Sequence, residues 1–292
     1  MIVVTGATGQ LGRAVIGRLI DRLPGAAIGA SARDPKKIGD LEAHGVRVRH
    51  GDFDDASSLR HAFEGATQVL IVSSNARASG GDAIAQHRTA IDAARAVGVR
   101  RVVYTSHMAA SDSSAFAPML DHYATEDMLR QSGLAWTSLR HGFYAASGLM
   151  LMGDAVTTGV VEAPADGKVS WTTHADLAEA AAIILADEGR YDGPTPPLTG
   201  AEALNLEDLA DIASEVLGHP VRRHTLADED LRAKMGARGA PDRASSMVLG
   251  LYIASRRGEF AAVDPTLEQL LGRRPISMRD LIAHKAAGQA HA

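Results

Sequence analysis

Ile2-Val3-Val4-Thr5-Gly6-Ala7-Thr8-Gly9-Gln10-Leu11-Gly12 joins a short apolar run directly to a turn that carries three glycines. The apolar residues read as a buried strand, and the pattern Leu11, Val15, Leu19, Ile20 that follows reads as one face of a helix. Strand, glycine turn and helix in that order predict a nucleotide-binding turn. Gly6 permits the tight reversal, Gly9 lets the backbone approach a pyrophosphate with no Cβ in the way, and Gly12 allows the helix to pack closely on the strand. The helix that starts near Gln10 offers free backbone N–H groups and a positive dipole end to phosphates, so Thr8, Gln10 and Leu11 join the glycines as expected cofactor contacts. The spacing is GxxGxxG rather than GxGxxG, so the weight rests on the flanking strand and helix rather than on the glycines alone.

Downstream, apolar strand-like runs alternate with helical periodicity, which predicts a parallel sheet covered on both faces. Strands are expected at Ile2 to Val4, Ala27 to Ala30, Val46 to Arg49, Val69 to Val72, Val102 to Thr105 and Trp136 to Leu139. Helices are expected at Leu11 to Arg22, Pro35 to His44, Ala56 to Phe63, Ala83 to Val97 and His122 to Gln131. Right-handed crossovers then give a Rossmann-type, doubly wound α/β sheet with ligands beyond the carboxyl ends of its strands. After about residue 145 helical segments dominate: Asp176 to Ala186, Leu206 to Leu217, Asp228 to Lys234, Ala244 to Ser255, Thr266 to Leu271 and Met278 to Ala286. Asn205 with Asp208, and Ser277 with Asp280, have the spacing of helix starts. Gly193, Pro194, Pro196 and Pro197 read as a turn before a short strand near Leu198. The chain thus divides into a nucleotide-binding domain over 1–145 and a smaller, mainly helical lobe over 146–292. That lobe is expected to close over the reacting end of the cofactor, with segments free to return to the large sheet.

The end of the second strand, roughly 20 residues past the last glycine, is where such a domain chooses its dinucleotide. There the chain reads Ser31-Ala32-Arg33-Asp34-Pro35-Lys36-Lys37. An acidic residue would accept from the ribose hydroxyls and repel a 2′-phosphate, whereas Arg33 can pair with that phosphate in a bidentate fashion. NADPH is therefore favoured, with NADH the less favoured alternative; Asp34 has both a helix cap and the ribose open to it. At the third strand end, Asp52 could accept from the adenine amino group and the Phe53 ring could lie on its face, with a cap before Ala56 as the competing role for Asp52. Ser73, Ser74 and Asn75 end the fourth strand, and Tyr104, Thr105 and Ser106 the fifth. Small hydroxyls there suit a cofactor ribose, and equally suit simple turns.

Composition narrows the class. At 292 residues the chain can bury a large core, and its formal net charge of -5, with no extended basic block, argues against nucleic acid as a partner. Cysteine is absent, which removes disulfides and thiolate chemistry. No apolar stretch approaches the roughly 20 residues of a membrane span, and Met1 leads straight into the first strand, so the cytoplasm is the expected compartment and no membrane partner is expected. The histidines form no metal-ligand pattern, His219 and His224 included, and no GxSxG elbow is present.

The acid–base machinery is notable for what is missing. Short-chain dehydrogenases use a Tyr-x-x-x-Lys pair, in which the ammonium lowers the tyrosine pKa for proton exchange with a carbonyl. This chain has five tyrosines, and four residues after Tyr104, Tyr123, Tyr144, Tyr191 and Tyr252 stand Met108, Asp127, Gly148, Thr195 and Arg256. An ordinary alcohol or ketone dehydrogenase is disfavoured.

Taken together, VTGATGQLG at the start, VRHGDFDD after the third strand, YTS at 104–106, HYATEDML at 122–129, SLRHGFY at 138–144 and DGKVSWTTHADLAEAAA from Asp166 resemble the NmrA-like atypical short-chain dehydrogenases. The likeness is strongest to the bacterial type 2 NAD(P)H:quinone oxidoreductases and triphenylmethane reductases, and it covers nearly the whole chain. It implies an oxidoreductase that binds NADPH and passes hydride to a quinone or dye-like conjugated acceptor. Such a reaction dispenses with Tyr-x-x-x-Lys: a hydroquinone anion takes its proton from water or a nearby side chain, and a triarylmethyl cation needs none. The protein's share is then to stack acceptor on nicotinamide and exclude water.

Family members usually carry Asn after the Leu-Arg of the sixth strand, and this chain has His141, which departs from the family contact to nicotinamide or substrate but can donate a hydrogen bond or proton to a quinone oxygen. His122, Phe143 and Tyr144 are expected in the same pocket, with His141, Tyr144 and His122 as the candidate catalytic groups and core or capping roles as the alternative. The competing function is a non-catalytic NADP-binding redox sensor of the NmrA-like type, which also needs no acid–base pair; carbonyl reduction or epimerisation fits least. The sequence leaves the oligomeric state open, a homodimer included.

Overall fold

The computed structural model describes residues 1–289. In chain order the elements begin β1 (Ile2–Val4), α1 (Gln10–Ile20), β2 (Ile28–Ala32), β3 (Arg47–His50), α2 (Ala56–Phe63), β4 (Gln68–Ile71), α3 (Ala83–Ala96), β5 (Arg101–His107), α4 (Ala117–Gln131) and β6 (Ala135–His141). They continue with β7 (Phe143–Tyr144), α5 (Ala145–Leu151), α6 (Ala155–Thr158), β8 (Val160–Pro164), β9 (Trp171–Thr172), α7 (His174–Ala186) and β10 (Gly193–Pro194). The chain ends with α8 (Leu206–Leu217), β11 (Arg222–Leu226), α9 (Asp228–Ala237), α10 (Asp242–Arg256), α11 (Thr266–Leu271) and α12 (Met278–Gln289).

Two compact units result. Among the described residues, the first comprises 1–112, 118–141 and 174–196; the second comprises 113–117, 142–173 and 197–289. The break falls at 141/142 rather than at 145/146, and 174–196 belongs with the sheet because the apolar face of α7 packs on α1.

The first unit is a seven-stranded parallel sheet in the order β10-β6-β5-β4-β1-β2-β3. Its central strands are buried on both faces, so Val3, Val4, Val69, Leu70, Ile71, Val102 and Val103 need no polar alternation. Strand order reverses between β1 and β4, each paired with the other from Ile2↔Gln68 to Val4↔Leu70, and a crevice opens there beyond the carboxyl ends.

Several expectations are corrected. Gly193 and Pro194 do not form a turn but the seventh strand, in register with Thr137 and Ser138 of β6. Proline is tolerated there because an edge strand can spare one N–H. The segment 35–44 is a 3-10 helix broken at Ile38 rather than an α-helix. Helix α4 starts at Ala117, ahead of His122, with Pro118 in its first turn, where a missing N–H costs nothing.

In the second unit the expected helices form, and Asn205 and Asp208 make a full capping box at the start of α8. Two parallel strand pairs also form, β8 with β11 and β7 with β9. Strands β7 and β9 were not legible because they are only two residues long, and β11 because it is largely exposed and lacks an apolar run of its own. Phe260 meets Phe116 and Phe143 edge to face, Phe143 meets Trp171 in the same way, and the Phe143 and Phe260 centroids lie 5.0 Å apart.

Candidate functional site

The glycine turn is built by main-chain bonds. Thr5 N–H and Oγ1 both donate to the Leu70 carbonyl, and Val72 N–H donates to Thr5 Oγ1 at 2.9 Å, which ties the carboxyl ends of β1 and β4 together. Gly6 then turns with φ +61°, a conformation side chains disfavour. A Cβ on Gly12 would lie 2.5 Å from the Gly6 carbonyl oxygen, so only glycine lets α1 sit this close to the strand. Gly9 occupies the N-cap and brings no side chain to the first N–H groups of α1, which leaves that end of the helix to an anion.

A cavity of about 930 Å³ opens at this point in the first unit. Gly6, Thr8, Gly9, Arg33, Asp52, Phe53, Ser73, Ser74 and Asn75 all line it, together with Ser31, Asp54, Gln86 and the 76–81 segment. Gln10, Leu11 and Gly12 do not line it: Leu11 and Gly12 point into the packing of α1, and Gln10 is exposed at the helix start. Arg33 is exposed at the cavity edge and has no carboxylate partner among the described residues. Asp34 does not line the cavity and accepts from Lys36 N–H as the cap of the 3-10 helix. Asp52 does not cap α2, because Asp55 does so through Ser57 and Ser58; Asp52 accepts from Asp54 N–H instead.

Thr105 and Ser106 stand behind the cavity rather than on it. Thr105 Oγ1 accepts from Ser73 N–H at 2.8 Å, and Ser106 donates to Glu126. Glu126, 1% exposed, also accepts from Ser138 at 2.7 Å and from Arg140, whose guanidinium lies 2.6 Å from its second oxygen. Burial alone would raise the Glu126 carboxyl, but the bonds from Arg140, Ser138 and Ser106 outweigh it and hold the group below its usual value.

Around the carboxyl ends of β5 and β6, four rings gather. Tyr104 Oη lies 2.8 Å from His122 Nδ1, His122 stacks on His107 at 6.2 Å, and His107 pairs in register with His141 across β5 and β6. His122 and Glu126 are one turn apart on α4, where the missing Tyr-x-x-x-Lys pair would stand, so the spacing is that of a pair with different chemistry. The Tyr104–His122 contact was not legible, since it joins a strand to a helix 18 positions on. Tyr144 lies in the second unit, where burial pushes its phenol up to about 12. Among the described residues no cluster is able to hold a metal ion, and no helix is long and apolar enough to cross a membrane.

Burial, with neighbouring imidazoles adding to it, pushes His87 and His141 down to about 3, and pushes His107 well below its usual value. Burial also takes His122 to about 4, against the pull of Glu126 and Asp121. These rings are neutral when folded, whereas an unfolded histidine titrates near about 6.5. As pH falls from there toward 3, the unfolded chain binds protons that the folded chain refuses, so stability is full above the unfolded value and is lost through that window. The urea midpoint should therefore drop between pH 7.5 and pH 5; an unchanged midpoint would show that the rings are not sealed.

The NmrA-like family model matches residues 1–274. The chain belongs to the NmrA-like family. Among its relatives, quinone oxidoreductase 2 of Escherichia coli is 34% identical, over 97% of this chain and 98% of that protein. The crystal structure of that NADPH-dependent quinone oxidoreductase with NADPH superimposes with a TM-score of 0.90 over 98% of this chain and 99% of the other. The Citrobacter sp. triphenylmethane reductase complexed with NADP(H) gives 0.85 at 29% identity, covering 98% of this chain and 100% of the other. NAD(P)H azoreductase of Xenophilus azovorans is 28% identical over 98% of this chain and 99% of that protein. The doubly wound parallel sheet is thus that of NmrA-like reductases.

Proposed function

We propose that this NmrA-like protein is an NADPH-dependent reductase of quinones or dye-like conjugated acceptors. The observation that carries the reading is the cavity itself: a glycine turn at an uncapped helix start, with a cation free for a 2′-phosphate at the end of β2. Residues and group fit. Gly6, Thr8 and Gly9 present backbone to a pyrophosphate, Arg33 presents its guanidinium fork to the 2′-phosphate, and Phe53 offers a ring beside Asp52 for the adenine. Related reductases named for quinones, azo compounds and triphenylmethane dyes support the acceptor class.

When bound, the nicotinamide supplies a hydride. The chain's own part is to hold donor and acceptor in line and to stabilise the charge that develops. His141 closes the carboxyl end of β6, and His122 of α4, backed by Tyr104, stacks on His107 at the carboxyl end of β5. A neutral imidazole there can donate an N–H hydrogen bond to the developing oxyanion of a quinone, while the proton that the hydroquinone anion takes up comes from water.

Purified protein should oxidise NADPH steadily with small benzoquinones and with a triphenylmethane dye; NADPH binding without oxidation across such a panel would favour a sensor instead. His122→Phe should lower benzoquinone turnover by about 10- to 100-fold while leaving dye reduction near wild type, because a triarylmethyl cation develops no oxyanion for the ring to stabilise. Equal losses on both acceptors would assign His122 to packing. His141→Ala tests the second ring in the same way: unchanged quinone turnover and NADPH affinity would remove it from the reaction.

A further inference from the structure

Two consecutive residues of α3 hold both loops that wall the cavity between the glycine turn and Phe53. His87 is 1% exposed, and its Nε2 accepts from Ser74 N–H at 2.8 Å. That nitrogen is therefore unprotonated, and Nδ1 carries the proton to Thr125 Oγ1 at 2.8 Å, whose own hydroxyl donates to the Asp121 carbonyl at 2.7 Å. One tautomer satisfies the whole chain of bonds. The ring also meets Phe53 edge to face, with centroids 6.5 Å apart.

Gln86 grips the same loops from their solvent side. Its Nε2 donates to both carboxylate oxygens of Asp54 at 2.9 Å, and its Oε1 accepts from Ser74 Oγ. Ser74 is thus held at its backbone by one residue and at its side chain by the next, while the same pair secures the 53–54 loop. Asp82 caps the start of α3 by accepting from Ala85 N–H, so the turn that carries the pair is itself fixed.

We propose that Gln86 and His87 are positioning residues that preset the cofactor cavity, fixing the 51–54 and 73–75 loops in binding geometry before the dinucleotide arrives. The inference rests on the reading of this cavity as the NADPH site. Loops held in advance spare the ordering cost that binding would otherwise bear, so the pair acts on affinity rather than on the chemical step.

The test is NADPH affinity without any acceptor, read from the fluorescence of the reduced nucleotide, alongside kcat with benzoquinone at saturating NADPH. Gln86→Ala, on a partly exposed side chain that does not threaten folding, should raise the Kd by about 3- to 10-fold. His87→Gln keeps an acceptor close to the Nε2 position and should stay within about threefold of wild type, whereas His87→Asn is too short to reach Ser74 and should lose about tenfold. Rescue by Gln and not by Asn separates an acceptor role from simple filling of space. Unchanged affinity in Gln86→Ala and His87→Asn, or equal losses in His87→Gln and His87→Asn, would overturn the proposal while leaving the NADPH reading intact. A wild-type chain that binds no NADPH would overturn both.

Discussion

Arg33→Ala should raise the Michaelis constant for NADPH by about 10- to 100-fold and leave that for NADH within about threefold, the range expected for losing a charge-assisted, bidentate bond to phosphate. The side chain is exposed at the cavity edge, and among the described residues no carboxylate competes for it. Its substitution therefore removes a ligand contact without opening a hole in the core. Asp34, next in sequence, is not among the residues that line the cavity, and its side chain accepts from Lys36 N–H as a cap. Arg33→Lys should recover only part of the loss, because an ammonium offers a point charge where the guanidinium offers a fork. Equal changes for both nucleotides would show that Arg33 does not read the 2′-position.

Glu126→Ala should cost about 3 kcal/mol of stability, in the range for breaking a buried pair by removing one partner. The carboxylate is the shared acceptor of Ser106, Ser138 and Arg140, and without it two buried hydroxyls and a half-buried guanidinium lose their partner together. Glu126→Gln keeps one acceptor oxygen and should cost less. The carboxyl is held below its ordinary value in the folded state, so its contribution is present above the unfolded value and lost as pH falls through the folded one. The Gln variant should lose that acid limb while keeping the histidine limb at higher pH. Urea denaturation at pH 7.5 and 4 separates the two. A Glu126→Ala protein within about 1 kcal/mol of wild type would mean that Arg140 and the serines find water instead.

The two results bear on different layers of the molecule. Arg33 belongs to a contact that sequence position alone identifies, since the end of β2 follows the glycine turn at a fixed remove. Glu126 was in plain view inside HYATEDML, yet its role depends on Ser138 and Arg140 arriving from the next strand, and no local spacing announces that. The same holds for His87, which reads as one more buried helix residue until Ser74 is brought to its ring. Misreadings in the fold have a similar origin: Gly193 and Pro194 carry turn chemistry, and only an open sheet edge beside β6 makes a strand of them.

By itself the sequence determined what short-range physics dictates. Backbone freedom at Gly6 and Gly12, apolar runs buried on both faces, helix caps such as Asn205 with Asp208, and the absence of any Tyr-x-x-x-Lys pair are all properties of neighbours along the chain. Tertiary structure alone decided which polar groups share a partner. Those bonds join residues from different strands and helices, and their strength comes from burial, which no single segment supplies for itself.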